Sequence, residues 1–168
     1  MPEPLVVFTD GACLGNPGPG GWAWALSPAD WASGCERSTT NQRMELTAVL
    51  EALAANPGPL EVVSDSAYVV NCFRDGWWVA WRARGWRNAR REPVANQDLW
   101  VPLVEEVVDR RGGQVGFRWV RGHAGDELNE LVDRLANEAA RRQRAAAAGR
   151  GLAGTATSRR PNPEDAES

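Results

Sequence analysis

Leu5-Val-Val-Phe8 is a short apolar run rich in β-branched residues, the pattern of a strand covered on both faces, and it leads straight into Thr9, Asp10 and Gly11. The stretch Gly15 to Gly21 is dense in glycine and proline and carries turn chemistry. Trp22 to Leu26 after it predicts a second strand, so the two form a hairpin with one acid on its inner strand. Asp30 to Thr39 is read as a third antiparallel strand or its approach. The period then changes: Leu46, Val49, Leu50, Leu53 and Ala54 fall at i, i+3, i+4, i+7 and i+8, which predicts a helix over 42–55. Thr39 or Thr40 caps it, and Asn56-Pro-Gly-Pro59 closes it. Glu45 lies beside the apolar stripe, turned toward the sheet edge.

Leu60 to Asp65 predicts a strand ending in a second acid, with Ser64 or Ser66 capping a short helix through Phe73. Gly76 interrupts, and a Trp- and Arg-rich helix or pair of turns runs to Arg84. After a loop over 93–97, Asp98 to Arg111 reads as a helix with Leu99, Leu103, Val107 and Val108 inward and Pro102 tolerated only in its first turn. Gln114 to Val120 is the last strand and Arg121 to Gly125 a glycine-flanked loop. From Asp126 a final helix buries Leu128, Leu131, Val132, Leu135, Ala136 and Ala139, and fades near Arg144. This order predicts an α/β fold: a mixed five-stranded sheet, three antiparallel N-terminal strands plus two further parallel strands, flanked by helices. Residues 1–144 form the one folded domain, and residues 145–168, with nothing to bury, read as a disordered tail or linker stub.

Composition adds a compartment and a partner class. Cys13, Cys35 and Cys72 are odd in number and lack metal-ligand spacing, which points to reduced thiols in a cytoplasm. No basic leader precedes an apolar core at the N-terminus, and no run of eighteen apolar residues occurs, so a soluble chain with no membrane partner is expected. The absence of a long apolar surface predicts a monomer. The net charge of -3 argues against a polyanion partner until its distribution is read. All nineteen basic residues are arginine, and Arg74, Arg82, Arg84, Arg87, Arg90 and Arg91 crowd one segment against Asp75 alone. Arginine pairs two phosphate oxygens at once, so a local positive field with phosphate-binding chemistry is expected there. Trp77, Trp78, Trp81 and Trp86 lie in the same segment, where they can stack on a ligand or on one another.

Four acids stand at structured positions where an unpaired charge is awkward: Asp10 in the first strand, Glu45 inside a helix, Asp65 at a strand end and Asp133 beside the buried face of the last helix. Each alone is also explained by a cap, a surface charge or a half-buried ion pair. Brought together they would raise one another's pKa and repel, a conflict that a hard divalent cation with oxygen ligands, Mg2+ or Mn2+, resolves.

The wording around these acids goes further. Thr9-Asp10-Gly11 with the glycine-rich turn, Thr39-Thr40-Asn41-Gln42-Arg43-Met44-Glu45-Leu46, Ser64-Asp65-Ser66-Ala67-Tyr68-Val69, and the block from Gly122-His123 through Asn129 to Asp133 occur in this order, and together resemble ribonuclease HI over residues 6–140. The resemblance implies an RNase H-like fold and an endonuclease that hydrolyses the RNA strand of RNA–DNA hybrids, leaving 3′-hydroxyl and 5′-phosphate ends. It implies two-ion catalysis with Mg2+, Mn2+ being the alternative, on Asp10, Glu45, Asp65 and Asp133. Asp10 would be shared between the ions, Glu45 and Asp65 would complete one, and Asp133 the other. His123 matches a mobile-loop histidine that assists proton transfer or product departure. Cys13, Asn16, Asn41 and Gln42 match contacts to the hybrid's minor groove, and Thr40 with Asn16 a phosphate site on the DNA strand. Residues 76–91 resemble a basic protrusion that grips the DNA strand, with Arg84, Arg87, Arg90 and Trp81 as its contacts. Two positions depart from the family pattern: Ala67 stands where a glutamine is frequent, and Ser38 where an arginine is frequent, with Arg37 next to it.

Overall fold

Side chains alternate across a strand, so a strand covered on both faces is apolar at consecutive positions. The computed structural model describes residues 3–148 and 154–158 and shows this in β1 (Leu5–Cys13). Val7 joins one core layer with Leu46, Val49 and Trp100, and Phe8 joins the opposite layer with Val132, Leu135 and Ala136. The same split divides Trp22 and Trp24 from Ala23 and Ala25 in β2 (Gly18–Ser27), and Val62 from Val63 in β4 (Leu60–Ser64). Helix α1 (Asn41–Ala55) covers the first face and α5 (Glu127–Ala147) the second. The large tryptophans lie under α1, and small alanines let α5 lie close.

The sheet order is β5-β4-β1-β2-β3-β6, with β3 at Asp30–Thr39, β5 at Val115–Trp119 and β6 at Ala156–Ser158. The first three strands form an antiparallel meander, and β4 joins β1, then β5 joins β4, in parallel. The ladder between β1 and β4 stops at Phe8 and Val63, whereas β1 runs on beside β2 as far as Cys13. Past Phe8 the sheet is therefore split, and Asp10 stands on the one-sided part of β1 where β4 has turned away.

Several sequence expectations need correction. The sheet has six strands, not five: β6 adds antiparallel to the outer edge of β3, from Trp31 opposite Ser158 to Ser33 opposite Ala156. The open edge offered unpaired backbone groups, and Thr155 to Ser158 supplies β-compatible residues to take them. Helix α5 also continues to Ala147, because Ala145 to Ala147 are strong helix formers. The expectation of a disordered tail falls, for residues 149–153 and 159–168, outside the described residues. The helix predicted over 98–111 divides into α4 (Gln97–Val104) and a π-helical segment, Glu105–Arg110. Pro102 sits well inside α4, beyond the first turn that the sequence reading allowed it, and bonding then widens until Arg111 N–H reaches Glu106 O at 3.0 Å.

Between β4 and α4 lie α2 (Ala67–Arg74) and α3 (Trp77–Ala83). Fully buried Trp100 ties this region down: its indole N–H donates to the Tyr68 hydroxyl at 2.6 Å, and its ring meets Trp81 edge-on at 5.4 Å. Trp77, Trp78, Trp81 and Trp86 all pack partly buried against the core under α1.

Candidate active site

Gly11 explains how Glu45 reaches Asp10. A Cβ at Gly11 would lie 2.4 Å from the backbone nitrogen of Glu45, so only glycine lets the first turns of α1 press against β1 at this point. Thr40 caps α1, its hydroxyl accepting from Arg43 N–H at 3.3 Å, and this sets the phase that sends Glu45 toward the split. Asp65 comes from the other side. Ser64 Oγ accepts from Ser66 N–H at 3.0 Å, Ser66 caps α2, and the Trp119 indole N–H donates to Asp65 O at 3.1 Å, which pins the strand exit.

The result is a cluster in which Asp10, Glu45 and Asp65 each place a carboxylate oxygen within 4.8 Å of the other two. Asp10 and Glu45 are buried, at 4% and 8% exposure. Asp10 retains a hydrogen bond from Gly11 N–H at 2.9 Å, while Glu45 Oε2 is buried without a partner. Electrostatics follow from this geometry. Burial, then the Asp65 charge, pushes Asp10 up to about 7. Burial, then the neighbouring Asp10, holds Glu45 well above the usual carboxylate range. Asp65 is raised by burial and by Asp133, and His123 opposes the rise. An orphaned buried oxygen among three converging carboxylates fits a hard cation far better than it fits a cluster left to itself.

Asp133 lies outside that trio but close enough to act on both Asp10 and Asp65. It is half-buried on α5, and its side chain accepts from Asn137 Nδ2 at 3.3 Å. His123 is exposed on the loop before α5 in a left-handed conformation, φ 57°. Its neighbour Gly122 approaches Asp65 so closely that a Cβ there would sit 2.9 Å from Oδ2.

A cleft of about 370 Å³ opens over the acids, lined by Asn41, Gln42, Glu45, Asp65, Ser66 and Gly122. Two residues matched to the minor groove thus share the cleft with two of the acids. Asn16 is adjacent, its Oδ1 accepting from Asn41 N–H at 3.1 Å, next to the cis Asn16–Pro17 bond. The Cys13 thiol points to the carbonyls of Gly18 and Thr39, both at 3.4 Å.

The protrusion divides by residue type. Trp81 is half-buried among Trp77, Trp86 and Trp100. Arg82 is bidentate to Asp109 and lies over Trp78. Arg84, Arg87 and Arg90 are exposed, and Arg84, Arg87, Asn88, Ala89 and Arg91 line a concavity of about 550 Å³. Sequence reasoning did not single out Gly11, Gly122, Trp119 or Asn137 for the site. Their roles depend on strand register and helix phase, and only the proximity of Gly122 to His123 carried a local signal.

The RNase H family model matches residues 2–141. A ribonuclease H of Albidiferax ferrireducens is 51% identical over 146 residues, covering 82% of this chain and 97% of the relative. That of Syntrophomonas wolfei is 47% identical over 141 residues, covering 80% and 94%. Among solved structures, LC9-RNase H1, described as a type 1 RNase H with the type 2 active-site motif, superposes with a TM-score of 0.70 at 32% identity, covering 94% of this chain and 79% of that one. With the match running the length of the fold, from the split sheet to the helix that carries Asp133, the chain belongs to the ribonuclease H family.

Proposed function

We propose that this chain hydrolyses the RNA strand of RNA–DNA hybrids to 3′-hydroxyl and 5′-phosphate ends, with Asp10, Glu45, Asp65 and Asp133 holding two divalent cations, Mg2+ by preference and Mn2+ as the alternative. The carrying observation is the convergence of three carboxylates from β1, α1 and the end of β4 around a buried, unbonded Glu45 oxygen. Held by Asp10, Glu45, Asp65 and Asp133, such ions would offset the carboxylate charges, polarise the scissile phosphate and lower the pKa of a water nucleophile toward neutrality.

The chain's own groups supply position and selectivity. Asn41 and Gln42 reach the cleft at the start of α1, one turn before Glu45, and their amides can both donate to and accept from a 2′-hydroxyl in a wide minor groove. Asn16, with its carbonyl oxygen engaged by Asn41, keeps its amide N–H groups for a DNA phosphate beside Thr40. Cys13, its thiol directed at the Gly18 and Thr39 carbonyls, contacts the minor groove beside Asn16. His123, on the loop close enough to act on Asp65, assists proton transfer or product departure. Arg84, Arg87 and Arg90 take DNA phosphates, and the exposed part of Trp81 packs beside them. Residues 1–144 are the catalytic domain, 76–91 its protrusion, and the three free thiols suit a cytoplasmic monomer.

The test uses labelled RNA–DNA hybrid, double-stranded RNA and double-stranded DNA, each with Mg2+, Mn2+ or chelator. Only the hybrid is cut, only with metal, and Asp10→Asn abolishes cleavage while hybrid binding persists. Near-normal turnover by Asp10→Asn, or cutting of DNA duplex, rejects the reading.

A further inference from the structure

Asp133 differs from the other three acids. Asp10, Glu45 and Asp65 are fixed relative to one another by the split sheet, by Gly11 and by the strand exit, and their oxygens form one group. Asp133 sits on α5 outside that group and has no such frame. What it has is Asn137, one turn further along the same helix. Asn137 Nδ2 donates both to Asp133 O at 2.9 Å and to Asp133 Oδ1 at 3.3 Å. Among the described residues these are the hydrogen bonds that reach Asp133's oxygens from a side chain. One amide thus grips the backbone and the carboxylate of the same residue, which limits rotation of the carboxylate.

The choice of an uncharged donor matters. A lysine or arginine at position 137 would orient the carboxylate equally well, but it would also bring a positive charge to a site that must attract cations. The amide orients without competing. Arg134, the cation nearest to Asp133 in sequence, is exposed on the outer side of α5.

We propose that Asn137 is a positioning residue for the metal site: it holds the Asp133 carboxylate in the orientation that completes the second cation position. The proposal rests on the reading of Asp133 as a metal ligand, and ligand-orienting partners of this kind typically change metal affinity by roughly 10- to 100-fold when removed.

The rival is a purely helical role, in which the bond to Asp133 O only steadies α5. Asn137→Leu, which keeps the branched shape of the side chain but has no donors, separates the two. The full chain, Asn137→Leu, Asp133→Asn and the double variant are titrated calorimetrically with Mn2+ in the absence of hybrid, with a thermal melt of each as the folding control. Kinetics against Mg2+ concentration are measured in parallel. We expect Asn137→Leu to weaken the Asp133-dependent Mn2+ binding by about tenfold or more. Turnover should recover at raised Mg2+ with KM for the hybrid unchanged, and the double variant should bind Mn2+ as Asp133→Asn does. A Mn2+ isotherm for Asn137→Leu within about twofold of the unaltered chain overturns the proposal, even with a lowered melting temperature. An additive loss in the double variant also overturns it, since Asn137 would then act elsewhere. If Asp133→Asn itself leaves the isotherm unchanged, the reading of Asp133 falls and the proposal with it. If Asp133→Asn weakens binding and Asn137→Leu does not, only the proposal falls.

Discussion

At the scale of single residues the site is built against its own electrostatics. Asp10 has its ordinary value near 3.8 in the unfolded chain and about 7 in the fold, chiefly through burial and then through Asp65. Its contribution to folding is therefore fully present below pH ~4 and is lost progressively as pH rises through 7, where the unfolded chain has released a proton that the fold retains. The difference corresponds to at most about 4 kcal/mol. Asp10→Asn, which cannot ionise, should accordingly melt higher than the unaltered chain in chelator at pH 8, by roughly 4–8 °C if half of that is realised. The gain should shrink toward zero at pH 4, and added Mg2+ should stabilise the unaltered chain far more than the variant. Melting curves at both pH values check this, and a gain independent of pH would mean that Asp10 is not strained by its charge. The acids themselves were legible in the sequence because each sits in a recognisable block. The residues that aim them were not: Trp119 meets Asp65 only because β5 pairs with β4 in the register that sets Ser64 opposite Trp119, and Asn137 meets Asp133 only through helix phase.

At the scale of elements, α1 must be held at both ends, because its first turn carries the cleft. Thr40 caps the start, and the Arg43–Asp98 ion pair at 2.7 Å ties that turn to α4. The far end depends on Arg111, whose guanidinium donates to the carbonyls of Leu53 at 2.5 Å, Asn56 at 3.0 Å and Gly58 at 2.9 Å. Leu53 lies in the last turn of α1, Asn56 caps it and Gly58 follows, so one guanidinium ties the helix end to the connection after it, and Glu106 at 3.0 Å holds the guanidinium in place. Only 11% of the Arg111 side chain is exposed, so water replaces it poorly. Arg111→Ala should lose about 2–4 kcal/mol of stability, read from denaturant midpoints, while kcat is retained below the melting transition. A loss under about 0.5 kcal/mol would assign the helix end to solvent. Sequence periodicity found α1 almost to the residue, because its apolar stripe and its cap are local. It placed Arg111 at the end of a different helix with no hint of this role, since the carbonyls it caps lie more than fifty residues earlier.

For the whole molecule, the net charge of -3 conceals a separation of sign. The acids gather at the split in the sheet, and exposed arginines gather on the protrusion. The main order of elements was readable from hydrophobic period alone, but β6 was not, because three residues that pair only with a distant edge leave no pattern of their own. The protrusion was readable as a positive field, and the structure divides its cations. Arg82 is spent on Asp109 and Trp78, whereas Arg84, Arg87 and Arg90 appear in no ion pair among the described residues. Arg87 donates through Nη1 to Arg91 O at 2.8 Å, which leaves Nη2 for a phosphate. Each phosphate contact releases condensed counterions, so hybrid affinity should fall linearly in a plot of log affinity against log salt. Replacing two of Arg84, Arg87 and Arg90 by Gln should make that slope shallower by about one to two units. Arg82→Gln should leave the slope nearly unchanged, because its charge is already paired. Binding titrations on a hybrid, in chelator so that no strand is cut, distinguish contact from mere field. An unchanged slope in the double variant removes the protrusion from the binding surface, whereas an equal change in Arg82→Gln shows that the segment attracts the hybrid at a distance without gripping its phosphates.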